Sequence, residues 1–129
     1  MERIGGFCVD TDILIDYLRG LENARIFLLE ASKTTVLSIS VISVVEIYSG
    51  AETKNLQKKK MIDLFLQNFR IIPVSIEVAR FAGELRRDYR RPFADMIVAA
   101  TALTHGLELV TKNTKHFRAI QMLELSRPY

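Results

Sequence analysis

The stretch Phe7-Cys8-Val9-Asp10-Thr11-Asp12-Ile13-Leu14-Ile15-Asp16-Tyr17-Leu18 sets the reading of the whole chain. A short apolar run, Gly5–Val9, reads as a first strand. Asp10 and Thr11 follow, and either side chain can cap a helix. Beyond them Ile13, Leu14, Tyr17 and Leu18 recur at helical spacing, and Gly20 supplies a stop. A strand that turns directly into an amphipathic helix is the first half of a parallel β-α-β unit.

The same alternation continues outward. A second helix is predicted over Glu22–Ala31, and β-branched Thr34–Ile39 reads as a second strand. Ser40 or Ser43 caps a helix that ends at Gly50. Lys54–Phe69 reads as a long amphipathic helix with Met61, Ile62, Phe65 and Phe69 inward. Arg70–Val74 is a short strand. Ser75 then caps a helix with Val78, Phe81, Ala82, Leu85 and Tyr89 on one face. Pro92 introduces a helix over Phe93–His105 that Gly106 closes. Glu108–Val110 reads as a fourth strand, a helical turn follows near Lys115–Arg118, and Met122–Leu125 is a possible fifth strand. Strands separated by helices imply an α/β fold: a parallel sheet of four to five strands with helices on both faces.

The composition excludes several classes of protein. The chain has 129 residues, with 18 Lys and Arg against 15 Asp and Glu, a formal charge of 18 − 15 = +3. Surface scaling for this mass buries about two-thirds of the unfolded surface, enough for one core, so residues 1–129 read as one domain. A single cysteine, Cys8, rules out a disulfide scaffold and a thiolate zinc site. Cys8 reads as a small core residue. No apolar stretch approaches the roughly 20 residues that span a bilayer, and no export signal opens the sequence. The expected compartment is the cytoplasm.

The carboxylates carry the chemical reading. In open α/β sheets the working site lies beyond the carboxyl ends of the strands. Asp10 falls there after the first strand, with Thr111 and Asn113 after the fourth. Asp95 lies in the first turn of a helix whose Ala99, Ala100 and Ala102 permit close packing on the sheet. Glu46 lies in the helix after the second strand. Taken singly, Asp10 serves equally as a helix cap, Asp95 as a first-turn carboxylate favoured by the helix dipole, and Glu46 as half of an ion pair. Taken together, they converge. Clustered carboxylates repel and raise one another's pKa unless a cation neutralises them. An all-oxygen set suits Mg²⁺, with Mn²⁺ as a substitute, and such an ion activates water against a phosphodiester.

Four segments resemble the motifs of one family. Val9-Asp10-Thr11-Asp12-Ile13-Leu14-Ile15-Asp16-Tyr17-Leu18 is similar to the opening motif of PIN-domain ribonucleases. Ser38-Ile39-Ser40-Val41 through Val45-Glu46-Ile47-Tyr48-Ser49-Gly50 is similar to the second. Ala94-Asp95-Met96-Ile97-Val98-Ala99-Ala100-Thr101-Ala102 is similar to the third, and Leu109-Val110-Thr111-Lys112-Asn113-Thr114-Lys115-His116-Phe117 to the fourth. The order, spacing and short length most resemble VapC toxins of toxin–antitoxin pairs. The resemblance implies a three-layer α/β/α domain and a Mg²⁺-dependent endoribonuclease. It also implies a homodimer held inactive by a VapB-type antitoxin. Asp10 and Asp95 match the family's metal ligands, and Glu46 completes the pocket directly or through water.

The fourth motif departs from the pattern, since it offers Asn113 and His116 but no carboxylate, which puts a second metal in doubt. Asp12 stands where the family more often has Asn or Ser, and either restores charge or caps the helix. Asp16 lies one turn further on, within reach of the groups that support the ligands. Thr11 and Thr111 are candidates to orient carboxylates or water. Arg86, Arg90, Lys112 and Lys115, together with Arg87, Arg91 and Arg118, are candidates for RNA phosphate contacts, against the simpler reading of a solvated surface. His105 reads as a helix C-terminal cation, and no aromatic group reads as a base-stacking platform.

Two other classes fit poorly, and the chain is short for the second of them. A receiver domain needs an Asp after the third strand, where Pro73-Val74-Ser75 stands. An aspartyl-phosphate phosphatase needs Thr or Val where Leu14 stands. A non-catalytic PIN-like module that binds RNA or a protein partner, or a PIN nuclease outside a toxin–antitoxin pair, remains the alternative, although Asp10, Glu46 and Asp95 are all present.

Overall fold

A computed structural model describes residues 6–129. Five strands, β1 (Phe7–Val9), β2 (Leu37–Ser40), β3 (Arg70–Ile72), β4 (Glu108–Val110) and β5 (Leu125–Ser126), pair in parallel in the order β3-β2-β1-β4-β5. Six helices flank them: α1 (Thr11–Leu18), α2 (Glu22–Ser32), α3 (Val41–Tyr48), α4 (Leu56–Leu66), α5 (Ile76–Tyr89) and α6 (Phe93–Thr104). Short 3-10 turns cover Ala51–Lys54 and Thr114–His116.

The first strand lies at the centre of the sheet, so its carboxyl end is bordered by β2 on one side and β4 on the other. Successive strand residues face opposite sides of a sheet, and two cores follow from that alternation. Cys8 and Leu109 pack with Val78, Leu85, Met96 and Phe117 on one face, under α5 and α6. Val9 and Val110 pack with Ile13, Leu14, Leu28, Ile47, Ile62 and Phe65 on the other. Ala99, Ala100 and Ala102 are fully buried, as their small size predicted. Cys8 is buried, and its thiol is pushed up to about 12, chiefly by burial and also by the nearby Asp10 charge. No helix among the described residues is long and apolar enough to cross a membrane.

Several boundaries differ from the sequence reading. The first strand begins at Phe7, and Gly5 lies outside the described residues. Gly6 has no room for a side chain, since a Cβ there would stand 2.1 Å from the Val36 carbonyl oxygen. The second strand is Leu37–Ser40 rather than Thr34–Ile39, because the Thr34 and Thr35 amides bond back to the Ala31 carbonyl and finish α2. The predicted helix Lys54–Phe69 divides: Asn55 accepts from the Lys58 amide and starts α4 only at Leu56. Met61 is 67% exposed rather than inward. The buried stripe of α4 runs through Ile62, Phe65, Leu66 and then Phe69 at helical spacing, which leaves Met61 on its flank. The third strand stops at Ile72, where its pairing with β2 ends. The last strand is Leu125–Ser126 rather than Met122–Leu125, since the Leu123 amide closes a turn on Ile120. Ser40, not Ser43, caps α3.

Candidate active site

Three side chains at the carboxyl edge of β1 and β4, Asp10, Asp12 and Thr111, are bound to one another. The Asp10 amide continues the sheet by donating to the Val110 carbonyl at 2.9 Å. Its side chain caps α1, accepting from the Thr11 amide through Oδ1 at 2.9 Å. Its other oxygen, Oδ2, accepts from the Thr111 hydroxyl at 2.8 Å. That hydroxyl also stands 3.2 Å from Asp12 Oδ2, which accepts from the Lys112 amide at 2.9 Å. The Asn113 amide donates to Thr111 Oγ1 at 3.0 Å and fixes the threonine rotamer. Thr111 therefore orients two carboxylates. Capping of α1 belongs to Asp10, and Asp12 is turned into the pocket.

This arrangement concentrates negative charge out of water. Asp10 is only 6% exposed, and its carboxyl is pushed up to about 7. Burial is the main cause, and the charges of Asp12 and Asp95 add to it, while hydrogen bonds from Thr111 and Thr11 offset part. Asp12 is raised as well, again mainly by burial. Asp12 Oδ1 is buried without a hydrogen-bond partner. An orphaned anionic oxygen of this kind is costly unless a cation reaches it.

Two further carboxylates border the pocket, each held by a protein group. Thr11 donates to Glu46 Oε1 at 2.6 Å, and Thr11 Oγ1 is 2.8 Å from Ser43 Oγ. Glu46 is exposed and has this hydroxyl contact rather than the ion pair considered from sequence. Asp95, in the first turn of α6, has Oδ2 2.9 Å from His116 Nδ1. Among the described residues no three His, Cys, Asp or Glu side chains are gathered tightly enough to grip an ion as they stand. Glu46 is drawn toward Thr11, and Asp95 toward His116. The donor chemistry, carboxylate oxygens with one of them orphaned and buried, nonetheless fits a hard divalent cation.

The predicted cations divide into separate groups. Lys112 Nζ sits 2.5 Å from Asp16 Oδ2 and 5.7 Å from the centre of the Tyr129 ring. Tyr129 donates its hydroxyl to the same Asp16 oxygen at 2.8 Å. Arg86 lies 4.8 Å over the Phe93 ring, with its Nε buried and unpartnered. Phe93 is 68% exposed, an aromatic surface two residues before Asp95 that the sequence reading passed over. Arg90 and Lys115 are exposed, and so is Asn113. His105 occupies the C-cap of α6, as predicted. Arg90 adopts a left-handed backbone at φ 55° and ends α5. Sequence reasoning also missed Ser43, Tyr129 and the Asp95–His116 contact. Ser43 lies three residues before Glu46 on one helix face, which was a usable signal. No local spacing pointed to Tyr129.

Beside Glu46 a cleft of about 450 Å³ opens between α1, α3 and α4, lined by Ile15, Leu18, Ile47, Met61 and Ile62.

Comparison with known proteins agrees with this geometry. The PIN domain profile matches residues 7–121. The chain is 37% identical over 121 residues to Ribonuclease VapC10 of Mycobacterium tuberculosis, covering 90% of this chain and 89% of that protein. It is 32% identical over 130 residues to Ribonuclease VapC1 of Rickettsia felis, covering 93% and 94%. Among solved structures, a toxin-antitoxin complex from Klebsiella pneumoniae contains a chain that is 33% identical and superposes with a TM-score of 0.80 over 95% of this chain and 98% of that one. VapBC2 from Rickettsia felis, bound to a promoter DNA fragment, gives a TM-score of 0.83 at 25% identity, covering 95% and 98%. The chain thus belongs to the PIN domain family and is of the VapC type.

Proposed function

We propose that this protein is an endoribonuclease toxin that hydrolyses RNA phosphodiester bonds at the Asp10–Asp95 pocket with Mg²⁺, or Mn²⁺ in its place. The observation that carries the proposal is that Asp10 and Asp12 share the Thr111 hydroxyl at one sheet edge, with Asp12 Oδ1 buried and unpartnered and Asp95 near enough for its charge to disfavour ionised Asp10. Such a pocket is unfavourable in isolation and becomes favourable with a divalent cation. Asp10 and Asp95 would be its principal ligands, with Glu46 direct or through water and Asp12 adding charge. When bound, the ion would neutralise these carboxylates, lower the pKa of a bound water and stabilise charge on a phosphate oxygen.

The chain's own groups serve that chemistry by position. Thr111 holds the Asp10 and Asp12 carboxylates side by side, and Thr11 holds Glu46 at the rim. His116 restrains Asp95 through Oδ2. Arg86, Arg90 and Lys115, with the exposed Arg91 and Arg118, are candidate cations for RNA phosphates, whereas Lys112 is engaged by Asp16. The curated relatives named above are ribonucleases, and the solved neighbours are toxin–antitoxin complexes. Those likenesses support a VapB-type antitoxin as the partner; a homodimer acting in the cytoplasm completes the proposed reading.

The test is cleavage of total RNA by the purified chain with Mg²⁺, with excess EDTA, and with Asp10→Asn. Cleavage is expected only for the wild type with metal. Full activity in EDTA, or equal cleavage by the variant, overturns the mechanism. Induced expression should arrest growth, and Asp95→Asn should relieve the arrest; growth untouched by the wild-type chain removes the toxin role. Binding of RNA without cleavage under any divalent metal would favour the non-catalytic module instead.

A further inference from the structure

The Lys112 ammonium lies near enough to the acidic pocket for its charge to favour ionised Asp12, yet its ion-pair partner is Asp16 rather than any pocket carboxylate. The Lys112 amide donates to Asp12 Oδ2 at 2.9 Å, so the residue's backbone borders the pocket directly. Its side chain turns the other way, with Nζ 2.5 Å from Asp16 Oδ2. Four further contacts hold that arrangement. Tyr129 donates its hydroxyl to the same Asp16 oxygen at 2.8 Å, and its ring lies 5.7 Å from Lys112 Nζ. Arg127 donates to the Lys112 carbonyl at 3.0 Å, and the Thr111 amide pairs with the Ser126 carbonyl at 3.1 Å. Meanwhile Asp12 Oδ1, on the carboxylate that Lys112 touches through its backbone, is buried and unpartnered.

A lysine carries its charge on a flexible four-carbon stem and can move from one carboxylate to a neighbouring one. Released from Asp16, the ammonium would find an orphaned anionic oxygen beside its own backbone. We propose that Asp16 and Tyr129 are positioning residues that hold the Lys112 ammonium out of the acidic pocket, leaving it open to a divalent cation. The inference rests on the metal reading above and deepens it. Asp16 touches neither metal nor substrate in this scheme and acts only through where it places Lys112.

The test is calorimetric titration of Mg²⁺, and separately Mn²⁺, into the isolated chain without RNA. Asp16→Asn removes the anionic anchor, and its Kd for metal is expected to weaken about tenfold, the scale of lost support around metal ligands. Lys112→Met in that background removes the competitor and should restore most of the loss. Lys112→Met alone should bind metal at least as tightly as the wild type. A purely structural bridge predicts the opposite pattern, in which either single change does the same harm and the double variant recovers nothing; that pattern overturns the inference. So does Asp16→Asn binding metal like the wild type. If Asp16→Asn does not fold, Tyr129→Phe deletes one hydroxyl from the anchor and is expected to weaken metal binding in the same direction; unchanged binding overturns the inference. A wild-type chain that takes up no divalent cation overturns the metal reading itself, and this inference with it.

Discussion

Replacing Asp10 by asparagine should make the metal-free protein more stable at pH 8, although the same change removes a carboxylate proposed above as a metal ligand. Asp10 has an ordinary value of 3.8 and is held at about 7 in the fold, first by burial and then by the neighbouring Asp12 charge. A carboxyl raised in the native state favours its protonated form. Stability is therefore greatest below the unfolded value and falls as pH rises toward the folded one. The span from 3.8 to about 7 corresponds to about 4 kcal/mol, lost between pH 4 and pH 7 and not recovered above it. Asparagine carries no charge and escapes that penalty. It keeps the cap on α1 but meets the Thr111 hydroxyl less well, a loss of about 1–2 kcal/mol. The balance is a gain of about 2–3 kcal/mol for the variant at pH 8 and a deficit of about 1 kcal/mol at pH 4. Urea denaturation in EDTA across this range measures both limbs. The stability curves of variant and wild type should cross between them. A variant that is less stable by a constant amount at every pH refutes the argument that Asp10 is strained by its charge. Adding Mg²⁺ at pH 8 should stabilise the wild type and leave the variant nearly unchanged, since binding to the native state raises stability by mass action.

Other consequences follow from single contacts. Thr111→Val keeps the side-chain shape but removes the hydroxyl shared by Asp10, Asp12 and the Asn113 amide, and should cost about 1–3 kcal/mol in urea denaturation. Unchanged stability would show that water replaces the hydroxyl. Gly6→Ala drives a Cβ to 2.1 Å from the Val36 carbonyl oxygen, so β1 must shift against β2. It should lose about 2 kcal/mol or more, while Gly83→Ala, with open space around its Cβ, should not destabilise. On α4, Ile62→Ala should cost about 2–4 kcal/mol and Met61→Gln within about 0.5 kcal/mol, a contrast that thermal melting resolves.

What the sequence conveyed depended on how local the information was. Strand-then-helix alternation, the Ser40 and Ser75 caps and the buried alanines of α6 rest on residues a few positions apart, and periodicity reads those. Asp10 and Thr111 were placed at the sheet edge because each follows directly on a strand. Met61 misled because a helix stripe drawn from hydrophobicity alone is wider than the face that a neighbour covers. The roles of Asp12, Asp16, Lys112 and Tyr129 escaped for a different reason. Their contacts join residues about a hundred positions apart, as in Asp12 with Lys112 and Asp16 with Tyr129. Side-chain direction there is decided by the approach of β5 and its flanks, which no local pattern encodes. Asp12 accordingly read as a possible cap, when Asp10 performs that task and Asp12 is turned into the pocket, its charge disfavoured mainly by burial.

The central place of β1 also has a bearing on synthesis. Its neighbour β4 enters the chain about a hundred residues later, and Thr111 closes on Asp10 across that separation. Contacts so distant in sequence form late, because loop closure must precede them. A nascent chain emerging from the ribosome carries Asp10 long before it carries Thr111 or Asp95. The acidic pocket cannot assemble until translation has passed β4, so a nascent chain stopped short of that strand carries Asp10 without the Thr111 hydroxyl that orients it.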